Sequence, residues 1–113
     1  MQPHSAKAKG RRLQQKVKKL ILDTFWGLDE SDIQSRSSGA GGEDIMLSFA
    51  ARARFPASIE CKNRESNKMI WDWFNQAQSN AGSYTPMVVI GRNGEKKQLA
   101  VMDFNDVLKL FRL

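Results

Sequence analysis

Asp44 and, sixteen positions later, Glu60 with Lys62 on either side of Cys61 are the residues whose types and spacing best suit chemistry. If Gly42 to Leu47 and Ile59 to Lys62 both form strands, side-chain alternation puts Glu60 and Lys62 on one face and Ile59 and Cys61 on the other. Two acids and a lysine then converge at the edge of a small sheet. A carboxylate pair holds a divalent cation through oxygen ligands, and a neighbouring ammonium positions or deprotonates a water. The chemistry that fits is metal-assisted hydrolysis of a phosphodiester. Glu43, as the chain neighbour of Asp44, points to the opposite face of a regular strand.

The elements that must position these residues follow from hydrophobic periodicity. Leu13, Val17, Leu20, Ile21, Phe25 and Leu28 recur at helical spacing, so residues 7 to 28 are expected to form a long first helix. Gln14 borders its apolar arc and Gln15 points nearly opposite, which makes Gln14 the better placed to look toward a site beside the core. Gly27 and the acidic run Asp29 to Asp32 end the helix. Ile33 to Ser37 is expected as a strand, Ser38 to Gly42 as a turn, and Ile45 to Leu47 as the second strand. Phe49 to Phe55 is a single helical turn or a loop, closed by Pro56, and its Arg52 and Arg54 are either phosphate contacts or a solvated pair. Ala57 to Lys62 makes the third strand.

A second long helix begins near Ser66 or Asn67, either of which can cap it. Its apolar face is Met69, Ile70, Trp73, Phe74, Ala77 and Ala81; Gln76 borders that face and Trp71 lies outside it. Met87 to Ile90 and Leu99 to Met102 are strands around the hairpin-favouring pair Asn93-Gly94, and Asp103 caps a last helix with Phe104, Val107, Leu108 and Phe111 inward. The order is helix, three strands, helix, two strands, helix.

With 113 residues, 41% of them hydrophobic and 27% charged, the chain has material for one core. We expect a single domain over residues 7–113 behind a flexible basic tail, residues 1–6. Net charge is +6 and unevenly placed: Lys7, Lys9, Arg11, Arg12, Lys16, Lys18 and Lys19 precede the first acid, Asp23. Such a cluster favours a polyanionic partner, because each cation that neutralises a phosphate releases condensed counterions. No run approaches the roughly 20 apolar residues of a membrane span, and no signal-peptide core follows the basic start, so an intracellular, cytoplasmic protein is expected. The single cysteine, Cys61, excludes an intrachain disulfide. His4 is the only histidine and Tyr84 the only tyrosine, which argues against histidine-based metal sites, serine triads and tyrosine nucleophiles.

Asp44 followed by Glu60-Cys61-Lys62, behind a first helix and ahead of a helix bearing Gln76, resembles the PD-(D/E)XK nuclease superfamily, and within it the small Holliday-junction resolvases of archaeal and phage type. The likeness spans about residues 7 to 102 in element order and motif spacing. It implies an α/β fold with a restriction-endonuclease-like αβββαβ core, a mixed central sheet flanked by helices, and an extra C-terminal strand and helix. It implies Asp44, Glu60 and Lys62 as catalytic residues and Asp44, Glu60 and the backbone carbonyl of Cys61 as ligands of Mg²⁺, for which Mn²⁺ substitutes. Gln14, Gln76 and Glu43 become supporting candidates, and the basic residues of the first helix DNA contacts. Many relatives carry a glutamate on the first helix where this chain has no acid; Gln14 offers only a neutral amide oxygen. The implied partner is DNA, in particular the four-way junctions of recombination, cut by a homodimer that can be phage-encoded and act in a host cytoplasm. The alternatives are a less selective nuclease on linear DNA and a non-catalytic DNA-binding domain.

Overall fold

The structure is a computed structural model and describes residues 3–36 and 43–112. Its elements are α1 (Pro3–Thr24), β1 (Ile33–Ser35), β2 (Ile45–Leu47), α2 (Phe49–Arg54), α3 (Lys68–Ala81), β3 (Val88–Ile90), β4 (Leu99–Val101) and α4 (Phe104–Arg112), with 3₁₀ turns at Glu30–Asp32 and Glu65–Asn67. The chain is mixed α/β, with four helices and two small antiparallel sheets. It divides into two compact units, Met1–Asn63 with Phe111–Leu113, and Arg64–Leu110.

In the first unit, α1 starts at Pro3 rather than at Lys7, in keeping with proline's preset φ and its harmless lack of an N–H at a first helical position. It ends where Thr24 turns its hydroxyl back on the Leu20 carbonyl (2.7 Å) and Gly27 takes a φ of 92°, a conformation that favours glycine. Asp29 and Asp32 then cap each other reciprocally. Asp32 also ties the far end of the hairpin: its carboxylate accepts from the Ser48 hydroxyl (2.7 Å) and its carbonyl from the Ser48 N–H (2.8 Å). Ser48 in turn caps α2 by accepting from the Ala51 N–H.

β1 and β2 pair antiparallel, with Ile33 opposite Leu47, Gln34 opposite Met46 and Ser35 opposite Ile45. The Ser38 to Gly42 turn lies outside the described residues. The expected third strand contracts to one antiparallel bridge, Ile45 to Ile59. Its backbone groups are engaged elsewhere: Pro56 has no N–H, the Ala57 carbonyl accepts from Arg52 and the Cys61 N–H donates to the Asp44 side chain. The core under this sheet is Ile21, Phe25, Ile33, Ile45, Ala51 and Phe55, all buried. Each of the larger side chains contributes about 1.5–3 kcal/mol through burial. Phe55 sits between rings, 6.0 Å from Phe25 and edge-on to Phe111 at 5.1 Å.

In the second unit, Lys68 and Asp72 pair one turn apart on α3 (2.7 Å). Asn67 stands at its N-cap without a side-chain bond, the 3₁₀ turn leading in instead. β3 and β4 pair antiparallel, Val89 opposite Ala100. Asn93-Gly94 does not make a two-residue hairpin; it turns within the connection from Ile90 to Leu99, closed by the Glu95 N–H on the Arg92 carbonyl (3.0 Å). Asp103 caps α4 through the Asn105 N–H. Phe74 and Leu108 are buried, whereas Met69, Ile70 and Trp73, expected inward, are exposed, as is Trp71. A two-stranded ribbon covers a narrower arc of a helix than a full sheet does, which leaves the flanks of α3 open. Among the described residues the strands form separate two-stranded sheets rather than one mixed sheet. No helix of the described residues is long and apolar enough to cross a membrane.

Candidate active site

Asp44 sits in the bend that leads into β2, held on both sides. Its N–H donates to the Ile59 carbonyl (3.0 Å), and its carbonyl accepts from the Arg36 N–H (2.8 Å). One carboxylate oxygen, Oδ2, accepts from the Cys61 N–H at 2.6 Å. The side chain therefore spans from β2 to the segment carrying Glu60 and Lys62, closing a gap that the backbone ladder leaves open. This bond orients the carboxylate through a neutral backbone donor.

Glu60 and Lys62 are exposed and lie 3.7 Å apart as an ion pair. Cys61 between them is half-buried, and its thiol is pushed up from the ordinary 9.0, first by desolvation and then by the charges of Asp44 and Glu60. Both carboxylates thus act on one thiol. The shift favours the neutral SH over the thiolate, which makes Cys61 a poor nucleophile.

Two carboxylates and a carbonyl are hard oxygen donors, the kind Mg²⁺ takes while keeping several waters. The donor set fits that ion in kind. Among the described residues no group of three or more His, Cys, Asp or Glu side chains gathers to hold a metal, so a site using Asp44 and Glu60 would need carbonyl, amide or water ligands to complete it.

Glu43 is occupied differently. It pairs with Arg52 at 3.0 and 3.3 Å, and its carboxyl is held below the usual carboxylate range by hydrogen bonds from Arg52 and Ser58, helped by the charges of Arg52 and Arg36. Arg52 also donates to the Ala57 carbonyl (3.1 Å), so this pair braces the chain on both sides of α2. Arg54 donates to the Trp26 carbonyl (2.9 Å) and lies over the Phe25 ring. Both arginines that were candidate phosphate contacts are bonded within the fold.

On α1, Gln14 is half-buried, but the residue that reaches the sheet is Gln15, whose Nε2 donates to the Ser35 hydroxyl (2.9 Å). The expectation that Gln15 points away is thereby corrected. Its cause is rotational: the fully buried residues Ile21 and Phe25 lie at one edge of the apolar arc, which turns α1 so that Lys18 and Gln15 flank β1. Lys18 meets Glu30 at 3.8 Å, and with Ser31, Gln34 and Ser35 they line a depression of about 370 Å³. Arg11, Arg12 and Lys16 are exposed, Lys9 is half-buried, and Lys19 pairs with Asp23 (2.8 Å). The Lys7 side chain lies outside the described residues. Gln76 is exposed on α3.

No protein-family model matches the chain, and no curated protein or solved structure matches it either.

Proposed function

We propose that this protein is a Mg²⁺-dependent DNA endonuclease of the PD-(D/E)XK kind, built on a restriction-endonuclease-like αβββαβ core and selective for branched DNA such as a four-way junction. The observation that carries the reading is the 2.6 Å bond from the Cys61 N–H to Asp44 Oδ2, which joins the two halves of the motif across the small sheet. Asp44 and Glu60 would hold the ion with the Cys61 carbonyl, and Mn²⁺ would serve in place of Mg²⁺. When bound, the ion supplies Lewis-acid activation of the phosphoryl group and a more acidic water.

The chain's own residues do the rest. Lys62, exposed beside Glu60, orients the attacking water and offsets charge developing on the phosphate oxygens. The exposed Arg11, Arg12 and Lys16 of α1 hold the nucleic-acid backbone, a contact that carries no sequence information. Symmetric cutting of a junction needs two sites, so the active form is a homodimer acting on cytoplasmic DNA.

Purified protein incubated with a labelled four-way junction and a matched linear duplex, with Mg²⁺ or with EDTA, tests this directly. The expected outcome is Mg²⁺-dependent cutting that favours the junction. Equal cutting of both substrates would leave a less selective nuclease. Cleavage that survives both Asp44→Asn and Glu60→Gln would remove the proposed site.

A further inference from the structure

The arginines of the first unit differ in what their guanidinium groups meet. Arg52 has Glu43 and the Ala57 carbonyl; Arg54 has the Trp26 carbonyl and the Phe25 ring. Arg36 has neither an acid nor a carbonyl oxygen among its side-chain hydrogen bonds with the described residues. One Nη lies 2.9 Å from the Met46 thioether sulfur, a weak acceptor, and its Nε is buried with no hydrogen-bond partner. Arg36 as a residue is half-buried, so part of its side chain remains reachable while its Nε lacks an acceptor.

Its position adds the second observation. Arg36 directly follows β1, and the pairing of Gln34 with Met46 and Ser35 with Ile45 continues to set Arg36 opposite Asp44, whose carbonyl takes the Arg36 N–H. Alternation puts its side chain on the Gln34 and Met46 face, where the bond to Met46 is found. Glu43, an acid that feels the charge of Arg36, is already bonded to Arg52. A planar guanidinium with no oxygen acceptor among the described residues, beside an acid proposed to hold a metal ion, is matched by a phosphate group, whose oxygens it can meet two at a time.

We propose that Arg36 binds a backbone phosphate of the nucleic acid, next to the bond to be cut. The identity of that anion rests on the nuclease reading. In EDTA, where no cutting occurs, anisotropy with a labelled four-way junction across about 50–200 mM salt measures the contact. Arg36→Gln is expected to lower the slope of log K against log salt by about one unit, with Arg36→Lys keeping the slope. A slope unchanged in Arg36→Gln overturns the proposal, as does a wild-type protein that binds no DNA.

If Arg36→Gln does not fold, the Nε–H resonance of Arg36 in the wild-type protein decides: it shifts when a short oligonucleotide is added, and a resonance that stays in place overturns the assignment. Wild-type protein that binds but never cuts with Mg²⁺ defeats the nuclease reading and leaves the Arg36 contact standing. Cutting with an unchanged slope defeats Arg36 alone.

Discussion

Glu43 and Asp44 are adjacent in the chain and attached in opposite ways. Glu43 meets a guanidinium and a hydroxyl, so its charge is compensated and its work is to hold α2 and the segment after it to the entrance of β2. Asp44 accepts from a backbone N–H, a neutral donor that aims the carboxylate. The lesson is that an acid's partner, more than its place in a motif, separates a brace from a candidate ligand. A neutralised carboxylate has little left to offer a cation.

Four substitutions or titrations break or sharpen that contrast. The largest effect is expected at Asp44: Asp44→Asn should lower Mg²⁺-dependent junction cleavage by roughly 10³-fold, while Glu43→Gln keeps it within about tenfold. Equal losses in the two would erase the distinction. Next is Ile45, fully buried beside both acids, where Ile45→Ala should cost about 2–5 kcal/mol in urea unfolding. A cost well below that would mean the Ile45 side chain is not packed into the core as described.

The third is acid sensitivity. The Glu43 carboxyl is lowered from its ordinary 4.5, so its stabilisation is complete above that value and lost as the pH falls through the folded one. Wild type and Glu43→Gln should therefore differ in Tm near neutral pH and converge under acid. A gap that does not narrow as the pH is lowered would assign the effect to packing rather than charge.

The smallest effect concerns Cys61. Its raised pKa means slow reaction with thiol reagents at mildly alkaline pH, the thiolate appearing only above the ordinary 9.0. Because burial outweighs the charges of Asp44 and Glu60, Asp44→Asn should speed labelling by less than about tenfold. No change at all would place Asp44 too far from the thiol for the geometry described.

Periodicity is what made the helices legible: Leu13 to Phe25 and Met69 to Ala81 mark α1 and α3 without any knowledge of their neighbours. It identifies which residues share an apolar face and is silent on whether anything covers that face, which is why Trp73 and Met69 were expected inward and are exposed. Arc position alone also misplaced Gln15, since the rotation of α1 is set by Ile21 and Phe25 meeting the sheet. The third strand failed for a different reason. Its alternating pattern is sound, but side chains, Arg52 at one end and Asp44 at the other, take the backbone groups a ladder needs. At Asp44 that departure from regular pairing is itself the feature that brings the motif's halves together. Arg36 carried no sequence signal, because its lack of acceptors exists only once Met46 lies against it.

The claim that Asp44 serves a cation is tested most directly by titrating the protein with Mn²⁺ and following the free-ion EPR signal. Wild type is expected to deplete the signal through a saturable site displaced by excess Mg²⁺, as is Glu43→Gln, whereas Asp44→Asn is not. Wild-type protein that leaves the signal unchanged, or Asp44→Asn that depletes it equally, would contradict it.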